Sequence, residues 1–200
     1  DAGETSSSVF RISASDVIIN GFTVTGGTGD MVEESGSADN LLFSHNILYD
    51  DLASSGDEGV QIKKSDGVII EYNYAYNIIQ DALNLSNSSN GYVRYNEIHD
   101  NYSVNAAIYC YGVTNINIVG NKVYDVHNND GIKLGDAGDG STDGSISDNT
   151  VYNVVEDGLT VYASGVTVDN NVVHDVGSEN GAVHLYRSDG SSVTNNQIYD

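Results

Sequence analysis

Basic and aromatic residues lie close together at several points of a chain that is otherwise strongly acidic. The 200 residues include 29 acidic and only 7 basic side chains, giving a formal net charge of -22. A cationic strip with aromatic rings suits a sugar polymer that carries carboxylates, because the cations pair with the acid groups and the rings stack on sugar faces. The alternative is a strand face that merely tolerates polar residues. The candidate substrate-binding residues are Lys63, Tyr111, Tyr162, Tyr186 and Arg187.

Three residues at equivalent positions of successive sequence segments could act on such a polymer. Elimination or epimerisation of a uronate needs a cation to acidify the proton beside the carboxylate, a base to remove it, and an acid. The candidates are Tyr109 as acid or base, Lys133 as carboxylate neutraliser and His184 as second base. We expect Tyr109 and Lys133 about 5 Å apart on adjacent coils, with His184 two coils further on.

Two groups of carboxylates could bind calcium. Glu58, Asp81, Asp130 and Asp157 each precede a short apolar segment, and stacked carboxylates repel unless they share a cation or accept turn amides. Turn chemistry needs no metal and is the favoured alternative for this row. The better calcium candidate is the loop whose Asp136, Asp139 and Asp143 concentrate oxygen ligands at short spacing.

Composition excludes several classes of partner. The net negative charge repels nucleic acid and anionic membranes, and no apolar run is long enough to cross a bilayer. We therefore expect no nucleic-acid partner and no membrane insertion. The single cysteine, Cys110, cannot form an internal disulfide and is interpreted as a small core residue.

A repeat positions these candidates. The fragment Asn-x-apolar-Tyr/His-Asp/Asn recurs at spacings of 22 to 28 residues, which indicates a repeat architecture. Its asparagines are Asn46, Asn73, Asn96, Asn121, Asn149, Asn171 and Asn196.

Each repeat contains three short bursts of alternating apolar residues separated by Gly, Asn, Asp and Ser. One example runs through Val60 and Ile62, then Val68 and Ile70, then Ala75. Period-two alternation predicts strands, and strands this short with no amphipathic helix must pair in parallel with the next repeat. The predicted fold is all-β: a single domain over residues 1–200, forming a right-handed parallel β-helix of about eight coils with three strands each.

Two columns should run along this helix. The repeated Asn falls at the bend between the second and third strands, where stacked amides can bond the backbone in an Asn ladder. One position after the third strand's apolar residue, aromatic side chains recur and predict an outward stack, either as packing or as a ligand surface. The stack comprises Tyr49, Tyr76, His99, Tyr124, Tyr152, His174 and Tyr199.

The Gly-apolar-x-apolar, Ser-Asp-Gly-Val-x-Ile and Asn-x-Ile rhythm resembles the right-handed β-helix repeats of the pectate-lyase-like superfamily, over roughly residues 9–200. It is also similar to the β-helix modules of mannuronan C5-epimerases and polysaccharide lyases. The resemblance implies an extracellular or cell-surface module with a groove over the first sheet that binds, cleaves or epimerises acidic polysaccharide. The Asp-Pro-His-Glu/Asp signature of the epimerases is absent, and the chain contains no proline.

A second class of function stays open. Neither the polar stretch at residues 1–8 nor the segment ending at Asp200 reads as a cap, and an uncapped β-helix exposes strand edges. The chain is then a fragment of a longer repeat protein, or a stalk, adhesin segment or filament subunit that stacks end to end with itself.

Overall fold

The structure is a computed structural model that describes residues 8–26, 29–36, 38–49, 58–177 and 180–200. These residues form 24 strands of three to six residues and contain no helix. Within the described ranges there is accordingly no helix long and apolar enough to span a membrane. The predicted N-terminal polar stretch lies outside the described residues except for Ser8.

Sheet A is built from the first strand of each coil, and all of its pairings are parallel. Its strands are β1 (Phe10–Ile12), β4 (Val32–Glu34), β7 (Val60–Lys63), β10 (Leu83–Ser86), β13 (Ala106–Tyr111), β16 (Asp130–Leu134), β19 (Leu159–Val161) and β22 (Val183–Leu185).

Sheet B is built from the second strand of each coil. Its strands are β2 (Ile18–Asn20), β5 (Leu42–Ser44), β8 (Ile69–Glu71), β11 (Ser89–Arg94), β14 (Thr114–Val119), β17 (Thr142–Ser147), β20 (Thr167–Asp169) and β23 (Ser192–Thr194).

Sheet C is built from the third strand of each coil. Its strands are β3 (Thr23–Thr25), β6 (Ile47–Tyr49), β9 (Tyr74–Tyr76), β12 (Glu97–Asn101), β15 (Lys122–Val126), β18 (Thr150–Val154), β21 (Val172–Val176) and β24 (Gln197–Tyr199). Eight parallel strands in each of three sheets confirm the predicted parallel β-helix of three strands per coil.

The core is the inside of the coil, filled by alternate residues of each strand. Ile62, Leu85, Cys110 and Leu134 occupy one register column of sheet A and are fully buried. Cys110 is thus a core residue, and burial raises the pKa of its thiol to about 12. Because each apolar side chain stacks on an equivalent one in the next coil, every coil completes the core of its neighbours.

The repeated asparagines stack at the bend between sheets B and C. The side-chain amide of Asn73 donates to Asn96 Oδ1 (2.9 Å) and to the Phe43 carbonyl (3.0 Å), so one side chain joins three coils. The Asn73 backbone N–H also donates to Asn96 Oδ1 (3.0 Å). Preceding residues such as Tyr72 and Tyr95 have φ of 53° and 55°, a conformation that makes the sharp bend. These bonds pair backbone groups that would otherwise be buried without partners.

An aromatic column runs along the outside of sheet C. Its rings are nearly parallel, with centroids 4.8 to 5.6 Å apart from Tyr49 to Tyr199. The ring faces cover one another, so the column presents edges to solvent. This geometry favours packing over sugar stacking as the role of the column.

Candidate functional site

Two outward columns of side chains cross sheet A. The first column consists of Arg11, Glu33, Gln61, Asn84, Tyr109, Lys133, Thr160 and His184. The structure therefore places Tyr109 and Lys133 side by side on β13 and β16, and His184 two strands beyond Lys133, as the spacing predicts. The second column starts with Lys63, Ser86 and Tyr111 and continues after a gap with Tyr162 and Tyr186.

The gap is at Gly135, which follows Leu134, the register partner of Cys110 and Val161. Gly135 has φ of 88°, and a Cβ added there would lie 2.9 Å from the Tyr162 backbone carbon. The backbone of Tyr162 and Ala163 therefore fills the place that a Cβ would take, and the second column has no side chain between Tyr111 and Tyr162.

The Lys133 ammonium group lies between two tyrosine rings. Its Nζ is 5.3 Å from the ring centroids of both Tyr109 and Tyr162, within the range of a cation–π contact. Nζ also lies 3.6 Å from Asp136 Oδ1, and the side chain is 16% exposed. Two aromatic walls and one carboxylate thus hold a cation in a partly desolvated position.

Tyr109 is more enclosed than the sequence predicts. The residue is buried, and its hydroxyl donates to Asp136 Oδ2 at 2.7 Å. Burial first, and the neighbouring Asp136 carboxylate second, raise the pKa of Tyr109 far above its ordinary value. Of the two predicted roles, this geometry disfavours the base, because a phenolate would lie beside the Asp136 carboxylate; the acid role stays a prediction.

His184 is supported by a buried carboxylate. Its Nδ1 lies 3.2 Å from Asp157 Oδ2, and the two side chains are 19% and 3% exposed. Asp157 also accepts the backbone N–H groups of Asn180 (3.0 Å) and Gly181 (3.2 Å), which fixes its orientation. A carboxylate on Nδ1 orients the imidazole and leaves Nε2 as its acid–base atom. The sequence analysis did not predict this role for Asp157. The available signal was its position: Asp157 lies two residues before Leu159, whose register partner Val183 precedes His184.

The remaining predicted substrate-binding residues fall into three places. Tyr162 packs edge-on against His184 (5.7 Å) and lies 5.2 Å from Tyr186, whose ring carries the Arg187 guanidinium at 5.1 Å. Tyr111 instead stacks on Tyr109 at 5.0 Å. Lys63 lies apart, towards the N-terminal end of sheet A. The structure thus brings Tyr162, Tyr186 and Arg187 together with His184, and leaves Lys63 and Tyr111 elsewhere on the same face.

The carboxylate row beside sheet A binds backbone amides. Asp81 accepts the N–H groups of Asn105 (3.0 Å) and Ala106 (3.2 Å), and Asp130 accepts that of Asp157 (3.2 Å). Burial raises the pKa values of both Asp81 and Asp130. This is the turn chemistry considered above, in which each carboxylate pairs donors of the following coil.

The three loop aspartates do not converge as metal ligands. Asp139 accepts four hydrogen bonds, from Gly112 N, Asp136 N and both donors of Ser141, at 2.7 to 2.8 Å. Asp136 is engaged by Tyr109 and Lys133. Among the residues described, no group of three His, Cys, Asp or Glu side chains is arranged to hold a metal ion. The Asp136 and Asp139 oxygens are thus used by hydrogen bonds within the fold, and calcium binding at this loop stays a prediction.

Comparisons with known proteins show which family this chain belongs to. No curated protein matches the sequence. Among solved structures, a double mutant of the periplasmic alginate epimerase AlgG matches with a TM-score of 0.68 at 17% identity, covering 90% of this chain and 47% of that one. The A-module of the mannuronan C-5 epimerase AlgE4 from Azotobacter vinelandii matches with a TM-score of 0.53 at 13% identity, covering 100% and 64%. This chain therefore spans about half of AlgG and under two thirds of the AlgE4 module.

The family model described as the right handed beta helix region matches residues 4–139 and 36–198, which together span nearly the whole sequence. These matches agree with the three parallel sheets and with the handedness that the sequence predicts. The chain belongs to the right-handed β-helix family.

Proposed function

We propose that the outward face of sheet A binds an acidic polysaccharide and that Lys133 and His184 act on one of its uronate residues. The observation that carries this proposal is the Lys133 ammonium group, held between the Tyr109 and Tyr162 rings on the same face as the His184–Asp157 pair. A cation so placed on a molecule of net charge -22 attracts an anion locally. The likeness in fold to AlgG and AlgE4, named as alginate and mannuronan epimerases, supports the same substrate class.

The proposed chemistry begins with the uronate carboxylate paired to Lys133. This pairing stabilises the charge that develops when the neighbouring C–H proton is removed. His184 Nε2 takes that proton, with Asp157 stabilising the imidazolium. The carbanion then either receives a proton on the opposite face, which is epimerisation, or expels the glycosidic oxygen, which is elimination. The neutral Tyr109 hydroxyl is the candidate proton donor.

Lys133 and His184 are two strand steps apart, about 10 Å between backbones. The Lys133 side chain reduces this separation, because its Nζ reaches over the Tyr162 ring, which itself packs against His184. One sugar ring lying on Tyr162 would therefore have the cation on one side and the imidazole on the other. An enzyme that meets such a polymer works in the periplasm or outside the cell, and we propose that location.

The test is incubation with polymannuronate and with polygalacturonate in deuterated water. Epimerisation or reversible proton removal incorporates deuterium beside the carboxylate, detected by NMR, and elimination produces an unsaturated sugar, detected by ultraviolet absorbance. Lys133→Gln and His184→Gln should each lower the rate about 100-fold or more. The control Lys122→Gln removes a lysine from sheet C, where it pairs with Glu97 at 2.9 Å, and should leave the rate unchanged. Equal rates in all three variants would refute the assignment.

A second candidate is a structural element whose last coil is covered by another coil, either of a longer chain or of a neighbouring molecule. Val193 and Ile198 continue the columns of the buried Val168 and Val173 but are 43% and 53% exposed. Exposed apolar surface of this kind is suited to cover by another coil. Sedimentation velocity and electron microscopy distinguish the candidates. Fibres that disappear in a Val193→Ser, Ile198→Ser variant would favour stacking, and discrete particles at all concentrations would exclude it.

A further inference from the structure

A cavity opens at the N-terminal end of sheet A, away from Lys133 and His184. It has a volume of about 440 Å³, and its lining includes Arg11, Lys63 and Lys64 together with Glu33 and Glu34. Three of the seven basic residues of the chain therefore meet in one cavity. None of the chemistry proposed above uses this cavity.

The two carboxylates of the cavity are already engaged. Glu34 is 3% exposed and accepts hydrogen bonds from Lys63 N (2.6 Å), Ser65 Oγ (2.8 Å) and Ala38 N (3.2 Å). Burial of this carboxyl raises its pKa. Glu33 accepts from Ser8 Oγ at 2.9 Å and lies 3.9 Å from Arg11 Nε.

The two lysines, in contrast, are available. In the described part of the chain neither Lys63 nor Lys64 forms an ion pair, whereas Arg94 and Lys122 on the other sheets pair with Glu71 (2.7 Å) and Glu97 (2.9 Å). Unpaired cations in a concave site focus the local potential, and they do so here against a strongly negative background. The adjoining cavity of about 310 Å³ is lined by Asp30, Glu33 and Glu58 together with Lys63, which lines both cavities. The side of Arg11 and Lys64 therefore favours an anion more than the side of Asp30 and Glu58 does.

The cavity and the candidate reaction site share one face of the helix. Lys63 pairs in register with Ser86, and Ser86 with Tyr111, so the second outward column leads from the cavity to Tyr111, whose ring stacks on Tyr109 beside Lys133.

We infer that the cavity of Arg11, Lys63 and Lys64 is a second anion site, which binds a carboxylate or sulfate group of the polysaccharide chain whose reacting residue lies between Lys133 and His184. This inference rests on the proposed function. Five strand steps separate β7 from β22, a distance of about 24 Å at about 4.8 Å per step. Only a chain long enough to cover that distance engages both sites, so affinity depends on chain length.

The experiment is calorimetric titration with oligomannuronates and oligogalacturonates of defined length, and with dextran sulfate fragments of matched length. The variant combines Arg11→Gln, Lys63→Gln and Lys64→Asn, in which asparagine suits the φ of 60° at position 64. A double variant, Arg94→Gln with Lys122→Gln, is the charge control on sheets B and C. Circular dichroism and thermal melting check that both variants are folded.

We expect the wild type to bind chains longer than about 24 Å at least ~10-fold more tightly than short ones. The cavity variant should lose that increase while binding short chains like the wild type, and the control should retain it. Whether uronate or sulfated chains show the effect identifies the anion. The inference would be overturned if the affinity of the wild type did not depend on chain length. It would also be overturned if the cavity variant bound long chains like the wild type. Either result would leave the proposed site at Lys133 unaffected. Absence of wild-type binding to every chain would overturn both proposals.

Discussion

His184 Nδ1 lies 3.2 Å from Oδ2 of Asp157, a carboxylate that is almost completely buried and also bound by two backbone N–H groups of the next coil. The carboxylate cannot turn away without leaving those donors unpaired. The imidazole orientation is therefore built into the coil and does not depend on a ligand. This makes His184 the best-positioned acid–base group on sheet A.

The first prediction concerns the His184 tautomer. Asp157→Asn replaces an acceptor with an amide that can donate to Nδ1, so the neutral ring should change from the Nδ1–H to the Nε2–H form. Nitrogen NMR of the ring detects the change, and any activity on uronates should fall by about 10²-fold or more. Asp175→Asn is the matched control, because Asp175 pairs with His174 at 2.8 Å on sheet C. An unchanged His184 tautomer in Asp157→Asn would refute the assignment.

The second prediction concerns calcium and the loop at 136–141. Asp139 accepts four hydrogen bonds within the fold, and each buried donor left unpaired costs about 1–3 kcal/mol. Asp139→Ala should therefore lower the melting temperature, whereas calcium should not change that of the wild type. Asp143→Asn, at an exposed position with φ of 59°, is the control and should melt like the wild type. If calcium raises the wild-type melting temperature and Asp139→Ala abolishes the rise, the loop is a calcium site after all.

The fold was predictable because the repeat fixes register. Once the asparagines set the phase, the alternation of apolar residues determines which side chains face inward, and a one-residue error would turn every one of them outward. The alignment of Tyr109, Lys133 and His184 follows from that rule alone. Equivalent strand positions in successive coils are neighbours whatever the loops between them do.

The pairing of site residues was less predictable because it depends on turns and loops. The loop at 136–141 folds back so that Asp136 binds the Tyr109 hydroxyl, and the length of an insertion does not specify where it folds. Asp157 was recognised as one of a row of turn carboxylates, but its contact with His184 requires the direction of a side chain at a bend. Backbone conformation at such bends, unlike strand register, is not encoded by periodicity.

The third prediction concerns the stacked asparagines. Asn96 donates to Asn121 Oδ1 and to the Ile70 carbonyl, and accepts from the backbone and side chain of Asn73. Asn96→Ala leaves several buried groups unpaired, so the free energy of unfolding should fall by about 3 kcal/mol or more. Asn115→Gly removes an exposed Asn–Asn bond to Asn90 at 2.8 Å, tolerates the φ of 55°, and should cost less than about 1 kcal/mol. Urea denaturation measures both, and equal costs would show that the buried asparagines contribute no more than surface ones.

The fourth prediction compares two aspartates whose pKa values shift in opposite directions. Burial raises the pKa of Asp81, so the folded state binds its proton more tightly than the unfolded state does. The contribution of Asp81 to the free energy of unfolding is fully present at pH values below its ordinary pKa of 3.8. It is lost as the pH rises through the raised pKa. The wild type should therefore gain stability relative to Asp81→Asn as pH falls from 7 towards 4.

Asp66 provides the opposite sign, since hydrogen bonds from Ser89 and Asn90 lower its pKa. Its contribution is present above the ordinary value and is lost as pH falls through the lowered pKa. The wild type should thus lose stability relative to Asp66→Asn on acidification below about pH 4. Thermal melting of the three proteins across this pH range measures both differences. If the wild type loses stability on acidification relative to both variants, burial does not determine the pKa of Asp81. The backbone amides of Asn105 and Ala106 would then stabilise its ionised form instead.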